Sequence, residues 1–242
     1  MLSLSTIFGL LGNITTGLVY LAPVKTFWHI VQRRSTEEFE SLPYVVKLLN
    51  GYLWLYYGII KPNSVLVATI NGFGAFLELI YVTIFLLFAP PRMRAITAIL
   101  FVVLDIVFPV AAALIIQLVL KNTELRISVV GFLCLLFSIA TYGSPLSIMK
   151  TVVITKSVEY MPFLLSFILF INGATWTVYA VITKDWFIGI PNGSGFALGT
   201  AQLVLYAMYW KPKKEEKALD SGEDGWQREP LIAESSPSQA KR

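Results

Sequence analysis

A block of apolar residues in this 242-residue chain returns about 122 positions later, and this internal repeat limits the possible folds more than any other feature. Segment 50–54 reads Asn-Gly-Tyr-Leu-Trp, and segment 172–176 reads Asn-Gly-Ala-Thr-Trp. Duplicated apolar units are typical of transporters, in which two halves enclose a site near mid-membrane. The other recurring positions are Pro23 with Pro145, Tyr57 with Tyr179, and Asn-Gly-x-Gly at 71–74 with 192–195.

The composition indicates that most of the chain lies in a bilayer. Hydrophobic residues make up 56% of the sequence and charged residues 14%, and the mean hydropathy is +0.68. Soluble proteins carry roughly 25% charged residues. A spanning helix needs about 20 mostly apolar residues, so the chain up to Trp210 has room for seven spans. We predict these spans at 6–30, 43–60, 65–88, 96–119, 127–150, 162–182 and 187–210.

The repeat covers the first three and the last three predicted spans, and the fourth span has no counterpart. Two three-helix copies have the same orientation in the membrane when a single helix joins them. We therefore predict an all-α membrane protein with seven transmembrane helices, arranged as two parallel three-helix repeats joined by a linker helix (3+1+3). The predicted units are a first repeat at 1–90, a linker at 91–122, a second repeat at 123–211 and a disordered cytosolic tail at 212–242.

Positive charge is concentrated in alternate loops and at their adjoining helix ends. Cytosolic loops of membrane proteins carry the excess of Lys and Arg. The distribution predicts a cytosolic C-terminus and an N-terminus that faces the outside or an organelle lumen. The first, third and fifth loops hold Lys25, Arg33, Arg34, Arg92, Arg94, Lys150 and Lys156, whereas the second, fourth and sixth hold Lys61, Lys121, Arg126 and Lys184.

Each three-helix unit has an early proline, a proline that opens its second helix and an Asn-Gly-x-Gly motif in its third. This pattern, over residues 5–210, resembles the SWEET family of sugar transporters. Trp54 and the Glu-Pro-Leu-Ile segment at 229–232 are most similar to the vacuolar, fructose-preferring plant branch. The segments that carry the resemblance include Ala22-Pro23, Leu42-Pro43-Tyr44, Thr69-Ile70-Asn71-Gly72, Tyr142-Gly143-Ser144-Pro145 and Ile190-Pro191-Asn192-Gly193.

The resemblance implies a facilitative, bidirectional uniporter that moves monosaccharides such as glucose or fructose by alternating access. It implies a homo-oligomer in the vacuolar membrane, with the plasma membrane as the alternative. The expected partners are a monosaccharide and membrane lipid, without nucleic acid, cofactor or metal. We expect no enzyme activity, since one His and one Cys leave no catalytic pair or metal cluster.

Two other functions remain compatible with seven apolar spans. The first is a seven-helix receptor, against which the repeat argues because receptors do not duplicate in threes around a linker. The second is a PQ-loop-like exporter of amino acids. Its carboxylate substrate would need a cation in the pocket, and Lys47 is the candidate.

Asn71 and Asn192 place one amide in each repeat, within the third and the seventh predicted span. An amide both donates and accepts hydrogen bonds, as a sugar hydroxyl does. Each amide could equally bond the backbone of a neighbouring helix. The resemblance implies that both contact the substrate.

Trp54 and Trp176 occupy equivalent places in the two copies. An indole presents a flat apolar face to the C–H side of a sugar ring, although membrane tryptophans are often interfacial anchors. The resemblance implies that the pair clamps the sugar. Many relatives have a small residue at the place of Trp54, so a tryptophan there favours a monosaccharide over sucrose.

Prolines and one pair of polar residues are the candidate gates. A proline within a helix removes a backbone hydrogen bond and creates a kink, whereas at the first turn it is well tolerated. Pro43 lies eleven residues before Trp54 but Pro162 lies fourteen before Trp176, which predicts an offset of about one helical turn between the copies. The prolines that the resemblance assigns to the inner gate are Pro23, Pro43, Pro145 and Pro162.

Tyr57 and Asp185 fall near the outer ends of their spans, Tyr57 in the second and Asp185 between the sixth and seventh. The resemblance implies that they form an outer gate, and the alternative is a pair of exposed loop residues. Glu78 and Asp105 are the acids well inside the spans. We interpret Glu78 as a hydrogen-bonding residue of helix packing and Asp105 as a linker-helix residue, and we do not expect proton coupling.

Overall fold

The computed structural model describes residues 2–37 and 39–210, apart from the side chain of Ser144. The predicted tail at 212–242, with its segment 229–232, lies outside the described residues. The helices are α1 (Leu4–Leu21), α2 (Val24–Arg33), α3 (Leu42–Ile60), α4 (Val65–Phe88), α5 (Pro91–Leu100), a π-helical stretch (Phe101–Val107), α6 (Phe108–Val119), α7 (Thr123–Thr141), α8 (Gly143–Thr155), α9 (Phe163–Thr183) and α10 (Trp186–Tyr209).

These helices form seven membrane segments, in agreement with the predicted 3+1+3 arrangement. The segments are α1–α2, α3 and α4, then α5–α6 with the π-helical stretch between them, then α7–α8, α9 and α10. Among the described residues, five of the segments are long and apolar enough to cross a membrane on their own. The other two, α3 and α10, carry Asn, Gly, Pro and Tyr. Asn50 of α3 and Asn192 of α10 line the central cavity described below.

Six of the seven segments close into a ring. Within the first repeat, α4 packs between α1 and α3; within the second, α10 packs between α7 and α9. The two repeats meet where α1 packs against α9 and where α3 packs against α7. The linker (α5, the π-helical stretch and α6) packs outside this ring, mainly against α3. The third helix of each repeat is therefore its centre, and both repeat boundaries pair a first helix with a second one.

Glycines permit the close approach of α3 to α4 and of α9 to α10. A Cβ atom at Gly58 would lie 2.5 Å from the backbone nitrogen of Ala68, and one at Gly173 would lie 2.7 Å from that of Phe196. Small residues at such crossings let two backbones pack without a hydrophobic driving force from water. These contacts make each repeat a tight unit.

The prolines mark helix boundaries. Pro23 caps α2 at the break after α1, and Pro145 lies in the first turn of α8 after the break at Tyr142. Pro43 is the second residue of α3, whereas Pro162 directly precedes α9. α3 begins twelve residues before Trp54, and α9 begins thirteen residues before Trp176. The two helices therefore start at nearly equivalent positions, and the predicted offset of a helical turn is wrong. Only the placement of the proline at the start of the helix differs between the copies.

Replacing Gly58 by Ala should destabilise the protein by about 1–3 kcal/mol, because the added methyl group meets backbone that cannot rotate away. Gly17→Ala is the matched control, since its Cβ atom would have only the end of the Ile70 side chain near it, at 4.0 Å. Thermal unfolding in detergent should show a lower Tm for Gly58→Ala and an unchanged or higher Tm for Gly17→Ala. Equal Tm values for the two variants would contradict this packing.

Candidate functional site

The ring encloses a central cavity of about 180 Å³. All four side chains predicted to contact substrate, those of Asn71, Asn192, Trp54 and Trp176, line it. Each repeat contributes one amide from its third helix and one indole from its second. The cavity therefore lies between the repeats and presents similar groups from both sides.

A hydroxyl of the second repeat holds Trp54 in place. The indole N–H of Trp54 donates to Ser138 Oγ at 2.9 Å, and the Ser138 hydroxyl donates to Asn50 Oδ1 at 3.1 Å. Trp54 and Asn50 belong to α3, and Ser138 belongs to α7. This Trp–hydroxyl–Asn bridge crosses one boundary between the repeats.

An equivalent bridge crosses the other boundary. The indole N–H of Trp176 donates to Thr16 Oγ1 at 2.8 Å, and the Thr16 hydroxyl donates to Asn172 Oδ1 at 2.7 Å. Thr15 adds a second donor to the same oxygen at 2.8 Å. Ser138 follows Thr16 by the same 122 positions that separate the tryptophans. Both hydroxyls and both bridging asparagines line the cavity. None of the four was predicted as a site residue, although each pair recurs at the 122-residue spacing of the repeat.

The bridges determine what the tryptophans offer to a ligand. Their N–H groups are already paired, and the side chains are only 7% and 6% exposed. A tyrosine packs edge-on against each: Tyr57 against Trp54 with ring centroids 5.4 Å apart, and Tyr179 against Trp176 at 5.2 Å. An indole fixed in this way interacts with a ligand through its ring rather than its N–H group.

The amides of Asn71 and Asn192 bond their own helices. Their Nδ2 groups donate to the carbonyls four residues earlier, Val67 O at 2.9 Å and Ile188 O at 2.8 Å. The alternative of a bond to a neighbouring helix backbone is therefore wrong at both positions. Tyr20 donates to Asn71 Oδ1 at 3.3 Å. Each Nδ2 retains a second hydrogen, so each amide can still donate to and accept from a ligand.

A buried polar cluster lies where α3 and α9 end, about one helical turn from the cavity-lining residues Trp54 and Ile188. The Tyr57 hydroxyl lies 3.0 Å from both carboxylate oxygens of Asp185, and Lys61 forms an ion pair with Asp185 and donates to the Tyr57 oxygen at 2.9 Å. Asp185 also accepts from the first amides of α10. Tyr57 is 0% and Asp185 3% exposed, so the alternative of exposed loop residues is wrong. Sequence reasoning missed Lys61 because it treated that residue as a loop charge.

The remaining predicted residues lie elsewhere. None of the four gate prolines lines the cavity among its described residues, although Pro191, inside α10, does and accepts a hydrogen bond from Tyr142 through its carbonyl. Glu78 is buried, and neither of its carboxyl oxygens has a hydrogen-bond partner in the described part of the chain. Our interpretation of Glu78 as a hydrogen-bonding packing residue is therefore wrong.

Known proteins are similar to this chain in sequence and fold. The family described as "Sugar efflux transporter for intercellular exchange" (MtN3) matches twice, at 6–93 and 128–214, once for each repeat. Bidirectional sugar transporter SWEET17 of Arabidopsis thaliana is 51% identical over 85% of each chain. SWEET16 of the same plant is 47% identical over 96% of this chain and its own full length. A eukaryotic SWEET transporter of known structure, 36% identical, superposes with a TM-score of 0.80 over 85% of this chain and 96% of that chain.

Breaking the Tyr57–Asp185–Lys61 cluster should open that end of the cavity. With Cys134→Ala, which removes the single cysteine, Val67→Cys places a thiol at a cavity-lining position that is almost fully buried. Tyr57→Phe combined with Asp185→Asn should speed its modification, by a membrane-impermeant thiol reagent applied from the Asp185 side, about tenfold or more. Hydrogen bonds to charged groups stabilise the closed state by about 1.5–3 kcal/mol, and these substitutions remove them.

The matched control for this experiment is Tyr179→Phe. Tyr179 is the counterpart of Tyr57, and its hydroxyl makes no hydrogen bond to the described residues. Tyr179→Phe should leave the rate of thiol modification unchanged. Equal rates in the Tyr57/Asp185 variant and in this control would contradict closure by the cluster.

Proposed function

This chain belongs to the MtN3/SWEET family, and from that premise we propose that it is a facilitative, bidirectional transporter of sugars. The observation that carries the proposal is the central cavity, where an amide and an indole from each repeat face one enclosed space. Amides match sugar hydroxyls as donors and acceptors, and indole rings match the C–H faces of a sugar ring. Asn71, Asn192, Trp54 and Trp176 are the substrate-contacting residues of this proposal.

The size of the cavity supports a monosaccharide. Its volume is about 180 Å³, whereas pockets for larger, drug-sized ligands are roughly 300–1,000 Å³. The two buried tryptophans occupy space that a second sugar ring would need. We therefore propose glucose or fructose, rather than sucrose, as the substrate.

The two ends of the cavity differ in structure, and this difference supports transport by alternating access. The cluster of Tyr57, Asp185 and Lys61 links the repeats beyond one end of the cavity, and we propose that it closes this end as the outer gate. At the other end, the helix breaks at Pro23 and Pro145 leave segments that can move about a fixed core. We propose that these prolines, with Pro43 and Pro162 at the starts of α3 and α9, form the inner gate. A sugar that binds both end states equally shifts neither, which suits flow in both directions.

The two alternatives are less well supported. The double match to one transporter family leaves the receptor without a supporting feature. An exporter of amino acids would need a cation for the substrate carboxylate, yet none of the described lining residues is Lys or Arg, and Lys47 lies outside the lining. Competition between glucose and free amino acids for binding would separate the exporter from a sugar transporter.

The membrane address and assembly are further parts of the proposal. We propose the vacuolar membrane, because Trp54 is typical of the vacuolar branch of the family. We propose a cytosolic C-terminus, because positive charge is in excess in alternate loops. We also propose a homo-oligomer, in line with the family resemblance. The plasma membrane is the alternative address, which fluorescence of the tagged chain in a plant cell would distinguish.

Proteoliposomes that contain the purified chain should take up and release radiolabelled glucose or fructose in a saturable way. Asn71→Ala and Asn192→Ala should each lower this flux at least tenfold, because both remove hydrogen bonds to the sugar in a site screened from water. Asn63→Gly is the matched control: Asn63 is an exposed loop amide in the left-handed region, which glycine also adopts. Flux no greater than in empty vesicles, or flux abolished by collapse of a pH gradient, would overturn the proposal.

The bridging hydroxyls should act through the tryptophans. Ser138→Ala removes the acceptor of the Trp54 N–H group, and we expect kcat/KM for glucose to fall up to tenfold, in line with about 0.5–1.5 kcal/mol for a neutral hydrogen bond. Ser138→Thr, which retains a hydroxyl as Thr16 does, should restore most of it. In a Trp54→Phe background, which lacks the N–H group, Ser138→Ala should have a clearly smaller effect. Equal effects in the two backgrounds would show that Ser138 does not act through Trp54.

A further inference from the structure

A second cavity, of about 320 Å³, lies outside the ring and shares no lining residue with the central one. It lies where the linker packs against α3 of the first repeat and α7 of the second. Its walls are almost entirely apolar or aromatic, with one carboxyl group among them, that of Asp105. The lining includes Tyr52, Tyr56, Asp105, Val110 and Val130.

Asp105 has no role in the transport mechanism described above. It is 6% exposed, and neither carboxyl oxygen has a hydrogen-bond partner or ion pair in the described part of the chain. An unpaired acid in the middle of a membrane segment is costly, and such residues are functional until shown otherwise. Asp105 also belongs to the π-helical stretch Phe101–Val107, and π-helical turns occur frequently at functional sites.

We propose that this cavity binds a small, neutral, hydroxyl-bearing amphiphile from the bilayer, a lipophilic alcohol or phenol, whose hydroxyl hydrogen-bonds to Asp105. A hydroxyl can donate to a carboxylate or pair with a protonated carboxyl, so it fits either form. An ammonium group would carry its own desolvation cost into the bilayer. A sugar would leave most of its hydroxyls unpaired against the apolar walls.

Two further observations fit this class of ligand. Among the described residues, no cluster of three or more His, Cys, Asp or Glu is close enough to hold a metal ion, and a single carboxyl is a poor cation site. Val110, on the wall of the cavity, is 54% exposed at the surface of the linker. A ligand dissolved in the hydrocarbon can therefore reach the cavity without crossing the ring.

A ligand in this cavity would affect transport, because the cavity lies between the two repeats and the linker. Tyr52 and Tyr56 come from the first repeat, Val130 from the second, and Asp105 from the linker. A molecule that fills the space contacts all three parts, which must shift relative to one another in alternating access. Occupancy therefore changes the rate of transport. This effect on transport rests on the proposed function, whereas binding does not.

The test uses the full chain in lipid nanodiscs and the photoactivatable alcohol 3-azioctanol, with adducts located by mass spectrometry. In the wild type, we expect saturable labelling at the cavity residues Tyr52, Tyr56 or Asp105, which excess 1-octanol competes away. The hydroxyl-free analogue 3-azioctane should label them about tenfold less. Asp105→Leu, which replaces the two carboxyl oxygens with methyl groups, should lower labelling of Tyr56 by the alcohol about tenfold, and Asp105→Asn should retain part of the labelling.

Thermal unfolding of both variants verifies that they fold. Labelling spread evenly over lipid-facing helices, or saturable labelling that Asp105→Leu leaves unchanged, would overturn the proposal. In proteoliposomes, 1-octanol should alter glucose flux in the wild type and not in Asp105→Leu. If the wild type carries no sugar at all while the labelling pattern holds, the proposed function fails and the binding site stands.

Discussion

The structure depends on one constraint: a polar group inside the bilayer must find its hydrogen-bond partner within the protein. In this chain, the partner of each mid-membrane indole comes from the opposite repeat. Ser138 of the second repeat pairs with Trp54 of the first, and Thr16 of the first pairs with Trp176 of the second. Each tryptophan takes its acceptor from the other repeat, so the hydrogen bonds of the site also join the two repeats around the cavity.

The two ends of the cavity depart from this symmetry. Lys61 and Asp185 form an ion pair between the repeats, but their counterparts in the other copies are the neutral residues Thr183 and Ser64. Ser64 and Asp185 both occupy the N-cap position of the helix that follows, but only the Asp185 side chain accepts hydrogen bonds from that helix. In the proposed outer gate, this one charged contact joins the two repeats at one end of the ring.

The sequence predicts the features that the two repeats share, but not the contacts that form at one end of the ring. Hydropathy and the repeat predict all seven segments within a few residues, because both are properties of the linear sequence. The repeat also identified the cavity residues Asn71, Asn192, Trp54 and Trp176. Lys61 could not be predicted, since its partner lies in another repeat and their contact depends on how the helix ends meet. The π-helical stretch in the linker left no sequence signal at all.

The repeats are joined by neutral hydrogen bonds at the cavity and by an ion pair at the end of the ring. This distribution is consistent with a protein that must change shape. The bridges at Ser138 and Thr16 are neutral, each stabilising by about 0.5–1.5 kcal/mol. They lie on the wall of the central cavity. The ion pair of Lys61 and Asp185 lies at the end of the ring, where the segments leave the membrane. A buried pair that loses one partner costs about 3–5 kcal/mol, but a pair that opens into water regains hydration on both charges. In the proposed outer gate, charge is therefore tolerable because opening exposes it to water, whereas an ion pair kept from water would hold the two repeats in one state.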